Sequence, residues 1–241
     1  MKILAVDAAS KTGAVAVLQD HVILAEMQAT SPETHARRLM PAIDSTLHMA
    51  GIGLSELDGF AVTIGPGSFT ALRIGISTIK GLWFVTRKPV AAISTLDALA
   101  YQFPWFPDLI CPVIDAGKGE IYTALYRCRR WMEWNKVRTD CAVDPEQWLA
   151  QIEGSCLFVG SGVSPYRKLI EKIVGHRARF APPYINAVRA SVVACIGLKQ
   201  IQQGQVADVP SLVPYYIRRS DAEITLQKRM LIDKIPEKGY K

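Results

Sequence analysis

The sequence predicts an α/β protein of two lobes, each a mixed sheet with a three-strand meander packed by helices. Three observations predict it. Leu57 to Ala100 reads as strand, tight turn, long helix, strand and second helix, which is one complete βαβ unit and the start of the next element. Ahead of it, short apolar runs joined by two short turns make a meander. Behind it, Leu109 to Tyr126 repeats the opening of the chain: strand, acid, tight turn, strand. A duplicated architecture predicts such an echo. The expected division is a first lobe over residues 1–103, a second over 104–214 and a basic tail over 215–241.

Lys2 to Ala8 is a near-continuous apolar run, as a strand buried on both faces requires. A turn at Ala9 to Thr12 leads to the strands Gly13 to Leu18 and Val22 to Gln28. Ser31 as N-cap and Pro32 at the first helical position then start a helix that runs to Ala50 and stops at Gly51. Leu39, Ile43 and Leu47 form its apolar stripe, widened by Met40 and Pro41. Core packing or a subunit interface accounts for that stripe.

Gly59 to Ile64 is a short buried strand, broken by Gly65-Pro66-Gly67. Ser68 is placed to cap the following helix, whose residues Phe69, Leu72, Ile76, Ile79 and Leu82 recur at helical spacing. A turn of this kind leaves backbone N–H groups free for an anion or another protein's carbonyls. The plainer reading is a tight strand-to-helix connection. No Gly-Lys-Ser or Gly-Lys-Thr follows, so this is not a Walker loop. Gly75, Ile76 and Thr78 make a flat small-residue face, and Gly75 and Gly81 call for a packing reason.

Prolines and aromatics across Tyr101 to Asp108 mark a lobe boundary. Leu109 to Asp115 is the next buried strand, Asp115 to Gly119 a turn, and Glu120 to Tyr126 and Trp131 to Arg138 two further strands. Asp144-Pro145 caps a helix to Ile152, and Leu157 to Val159 runs into Gly160 and Gly162 before a helix from Ser164. Ala187 to Gln203 is the last strong helix.

The chain of 241 residues is large enough to bury a sizeable core, and its 49% hydrophobic and 21% charged residues are ordinary for a soluble protein. No apolar run reaches the length of a membrane span, and Met1-Lys2-Ile3-Leu4 leads straight into a strand. The expectation is a cytoplasmic protein. Five scattered cysteines without C-x-x-C spacing argue for reduced thiols and against a disulfide framework or zinc site. The four histidines also lack metal-ligand spacing. A net charge of +6 permits contact with a nucleic acid or an acidic partner, yet no RNA-binding motif accompanies it.

The run from Gly65 to Gly75 (GPGSFTALRIG), followed by Lys80-Gly81-Leu82 and Ser94 to Ala100, closely resembles the TsaB family. Members of that family are needed to make threonylcarbamoyladenosine in tRNA. The same stretch is more distantly similar to TsaD, the catalytic protein of that pathway, and both are actin-like. Asp115 to Tyr122 and Pro210 to Arg218 resemble further TsaB motifs. Ile64, Ala71 and Gly117 depart from the pattern, standing where Arg, Gly and Arg are common.

The resemblance implies a non-catalytic subunit without a metal site. TsaD carries a His-x-x-x-His metal pair, and the matching positions here are Thr95 and Leu99, neither of which replaces imidazole. Nucleotide-binding relatives have glycine in the first hairpin, where this chain has Ala9, so close phosphate approach is disfavoured. Asp7 either holds a hydrated magnesium or caps the hairpin. Asp7, Gly67, Ser68, Gly160 and Gly162 are the candidate nucleotide or anion contacts, for weak ATP or ADP binding and no required cofactor. The implied partners are TsaD in a heterodimer, the ATPase TsaE on that complex, and tRNA through the complex, with either a monomer or a homodimer as the isolated form. Leu39, Ile43, Leu47, Leu72, Gly75 and Ile76 are the expected interface. The alternatives are an actin-like ATPase or kinase, a metal-independent peptidase acting alone, and a stand-alone RNA-binding protein.

Overall fold

β-Branched and apolar runs build the first sheet from β1 (Lys2–Asp7), β2 (Thr12–Gln19), β3 (Val22–Thr30), β4 (Gly59–Gly65) and β5 (Val90–Ser94). A computed structural model describes residues 1–130 and 133–218. The strand order is β3-β2-β1-β4-β5, with β1 to β3 antiparallel and β4 and β5 joined parallel to β1. The second sheet holds β6 (Leu109–Gly117), β7 (Glu120–Arg130), β8 (Glu133–Val143), β9 (Cys156–Val159) and β10 (Ala178–Phe180). Its order, β10-β9-β6-β7-β8, is the first sheet's order read from the other edge, with the same pattern of antiparallel and parallel pairs. The two lobes are therefore topological duplicates, as the echo in the sequence predicted.

Helices close both faces of each sheet. On the outer side of the first sheet, α1 (His35–Ala50) and α2 (Phe69–Thr86) bury Leu39, Ile43, Ile76, Ile79 and Leu82 against Leu4, Val6, Val17, Phe60 and Val62. On the inner side lie α3 (Thr95–Ala100) and α6 (Ala190–Gln202), whose small residues face Ala5, Ala61 and Ala91. Contact there is close: a Cβ on Gly197 would lie 2.5 Å from that of Ala61. In the second lobe, α4 (Pro145–Leu149) and α5 (Val163–Val174) cover Cys111, Val113, Leu125 and Phe158. The middle core joins the lobes, because α3 and α6 share one cluster with Ile110, Tyr122 and Tyr126.

Three expectations are corrected. The first helix starts at His35 with Thr34 as N-cap, because Ser31 accepts a hydrogen bond from the Glu33 amide in a local turn instead. The second lobe does not extend to residue 214, because α6 packs on the inner face of the first sheet. Beyond α6, the chain stays with the first lobe through Ala207 N–H donating to Val90 and Tyr215 N–H to Ile64. Gly81 has no packing reason, since nothing lies within 4 Å of a Cβ built there. The expected strand start at Trp131, and the tail beyond Arg218, lie outside the described residues.

Candidate functional site: the cleft between the lobes

Both sheets aim the ends of their first strands at one cleft. From the first lobe, β1 delivers Asp7, the hairpin Ser10 and Thr12, and α3 Thr95 and Leu99; from the second come Ile114, Ser161 and Asn186. Together they line a cavity of about 420 Å³. A neighbouring hollow of about 550 Å³ shares Ser10 and Ser161 and reaches Gly67, Ser68 and Asp115.

Asp7 is 1% exposed. Its Oδ1 accepts from Thr63 Oγ1 at 2.6 Å and from the Ala9 amide at 3.2 Å, which ties the hairpin to β4. Burial pushes the carboxyl up to about 6, against the smaller opposing pull of those two bonds. Thr95 is 2% exposed, and its Oγ1 has no hydrogen-bond partner among the described residues. Asp7, Thr95 and Leu99 thus meet on one cavity although they come from separate elements.

The glycine turns are filled from within the chain. The Ser68 amide donates to Ala9 O at 2.8 Å, and a Cβ on Gly67 would lie 2.3 Å from the same oxygen. In the second lobe the Gly160 amide donates to Asn186 Oδ1 at 2.8 Å and the Gly162 amide to Val113 O at 2.9 Å. Gly160, at φ +114, takes a conformation suited to glycine. The Ser68, Gly160 and Gly162 amides, three of the expected anion contacts, thus hold the turns against adjacent backbone and a side chain. Ser68 begins α2 without a side-chain cap bond.

The expected interface residues also face inwards. Leu39, Ile43, Leu72 and Ile76 are buried within the lobe, Leu47 is partly buried against the same core, and Gly75 meets the Ala8 methyl. What α1 and α2 present outwards is Met40, Met49, Phe84 and Val85. Hydrophobic spacing located the buried stripe and Met40 at its edge, but not Met49, Phe84 and Val85, which lie off that stripe.

Sequence reading also missed the contacts that join the lobes. Lys136 Nζ, on β8, lies 2.9 Å from Asp97 on α3 and 2.7 Å from Asp140. The Tyr126 hydroxyl donates to Asp97 at 2.7 Å. Burial opposes the charge on Lys136, but its bonds to Asp140 and Asp97 outweigh that and raise its pKa above the usual lysine range. Near the C-terminal end of the described chain, Tyr216 stacks on Phe69 with centroids 4.0 Å apart and accepts from Arg73 at 2.9 Å. Arg218 pairs with Glu120 of the second lobe at 2.9 Å. None of these pairs has a local signature.

Comparison with known proteins places the chain. The family model described as TsaD, tRNA N6-adenosine threonylcarbamoyltransferase, matches residues 23–226. The Bacillus subtilis tRNA threonylcarbamoyladenosine biosynthesis protein TsaB is 32% identical over 92% of this chain and 96% of its own length. The chain belongs to this family, on its TsaB side. The TsaB protein of Escherichia coli is 29% identical, with 92% of this chain and 96% of that protein covered. A Pseudomonas aeruginosa crystal structure, described as an uncharacterized protein with similarity to peptidase YEAZ, superposes with TM-score 0.76 at 26% identity. That match covers 90% of this chain and 99% of the other. The fold is the actin-like one that the TsaB resemblance implied. No described helix is long and apolar enough to cross a membrane.

Proposed function

We infer that this TsaB-family chain acts in tRNA threonylcarbamoyladenosine biosynthesis as a non-catalytic subunit, paired with TsaD in the cytoplasm. The observation that carries the inference is the composition of the cleft. Where TsaD carries its metal-binding histidines this chain has Thr95 and Leu99, and the glycine-turn amides are already hydrogen-bonded within the protein. Such a subunit works by binding the active arrangement of its partner better than the inactive one. The outer surface of α1 and α2, with Met40, Met49, Phe84 and Val85, is the proposed contact. TsaE joins that complex and tRNA binds through it. No cofactor is required, and any ATP or ADP is held weakly.

Reconstitution of tRNA threonylcarbamoylation tests this, using the same organism's TsaD and TsaE and supplied threonylcarbamoyl-adenylate. Modification should depend on this chain and survive Leu99→Ala. Full modification without the chain, or robust ATP turnover by the chain alone, would move an ATPase or kinase reading to the front.

A further inference from the structure

The cleft cavity has an electrostatic character that none of the preceding roles uses. Among the described residues lining it, Asp7 is the one charged side chain, and none is a lysine, arginine or histidine. No described cation pairs with Asp7, whose carboxylate is stabilised by two bonds to a single oxygen, from Thr63 and Ala9. Thr95 lines the same cavity, and its buried hydroxyl has no hydrogen-bond partner among the described residues. Buried polar groups are normally satisfied, so an unpartnered hydroxyl and an unpaired carboxyl among the described lining residues of one cavity mark a place where a ligand supplies the missing bonds. Leu99 and Ile114 give the cavity apolar wall, and its volume of about 420 Å³ is in the range used for small molecules.

We propose that this cavity binds a small molecule carrying an ammonium group, held by Asp7, together with a hydroxyl or amide that pairs with Thr95. A phosphate or carboxylate ligand is disfavoured there, because the one charged residue among the described lining is the buried Asp7, whereas Lys11 and Arg218 line the neighbouring hollow. The cavity lies on the inner side of the first sheet, whereas α1 and α2 cover the outer side, so this site and the proposed partner face are separately testable.

The probes are ethanolamine and glycinamide, each with an ammonium and a second polar group, against ethylene glycol and inorganic phosphate. Amide chemical shifts of the full chain are followed during titration. Both ammonium compounds should give saturable shifts at Ala9, Thr95 and Ser161, with neither control doing so. Asp7→Asn should weaken binding about tenfold or more, the range of a lost charge-assisted bond. Thr95→Val should weaken it less while leaving the spectrum folded. Absence of saturable shifts with both ammonium compounds, equal binding by phosphate, or unchanged affinity in Asp7→Asn would overturn the proposal.

Discussion

Asp7 is held in a place that disfavours its charge. Burial lifts its carboxyl from 3.8 to about 6, so the folded state holds the proton more tightly than the unfolded chain does. The contribution of this group to stability is therefore full below about 3.8 and is lost as pH rises through about 6. Asp7→Asn should raise stability at neutral pH by up to about 3 kcal/mol, with the gain shrinking in acid. Urea unfolding at the two pH values checks it; an equal effect at both would remove burial as the cause. Two glycines make a second residue-scale contrast. Gly67→Ala would drive a methyl to 2.3 Å from Ala9 O and should cost about 2–3 kcal/mol. Gly81→Ala meets open space in a helix and should stabilise by about 1 kcal/mol. Thermal unfolding of the pair distinguishes a glycine required by contact from one that is not. The Gly-Pro-Gly run was visible in the sequence, but the oxygen it packs against was not.

At the scale of elements, α1 and α2 show how far periodicity reaches. Spacing predicted both helices and placed Leu39, Ile43, Leu72 and Ile76 on apolar faces; the first sheet covers Leu39, Ile43 and Ile76, and Leu72 is buried as well. Periodicity says that a helix has an apolar face and not what will cover it. A charge at Ile76 would accordingly unfold the lobe, at a cost of about 3 kcal/mol or more, before it reported on a partner. Phe84→Glu and Val85→Glu lie on exposed positions and should leave the melting temperature nearly unchanged. Co-purification with TsaD should fall sharply in both variants if the outer helix surface is the contact. Retained association would move the interface elsewhere. The start of α1 shows the limit at helix ends: Ser31-Pro32-Glu33 has the composition of a cap, yet the serine closes a turn of its own.

The whole molecule is held by the middle core and by a few polar contacts across the lobes. Lys136 bridges Asp97 and Asp140 while Tyr126 bonds to Asp97, so the back of the cleft is tied at one junction. The side chains of Lys136 and Asp97 are each 30% exposed, and solvent screening limits what their pair contributes. A double-mutant cycle on Lys136→Ala and Asp97→Ala should give a coupling of about 1 kcal/mol, decreasing with added salt. A coupling indistinguishable from zero at low salt would leave the hydrophobic middle layer as the joint. The return of α6 to the first sheet serves the same end, since the chain leaves the first lobe, builds the second and comes back to seal the layer between them. By itself the sequence determined most of the strands and helices, the duplication of the lobes, and the residue types Ala9, Thr95 and Leu99 at the cleft, while leaving out β10 and misplacing the start of α1. Those signals are local, because side-chain periodicity and backbone restriction act within a few residues. Only the tertiary structure decided that α6 belongs to the first lobe, that Ala9 O occupies the Ser68 amide, and that Lys136 meets Asp97. Each of these joins segments far apart in the chain, where contact follows from packing and no periodic pattern encodes it.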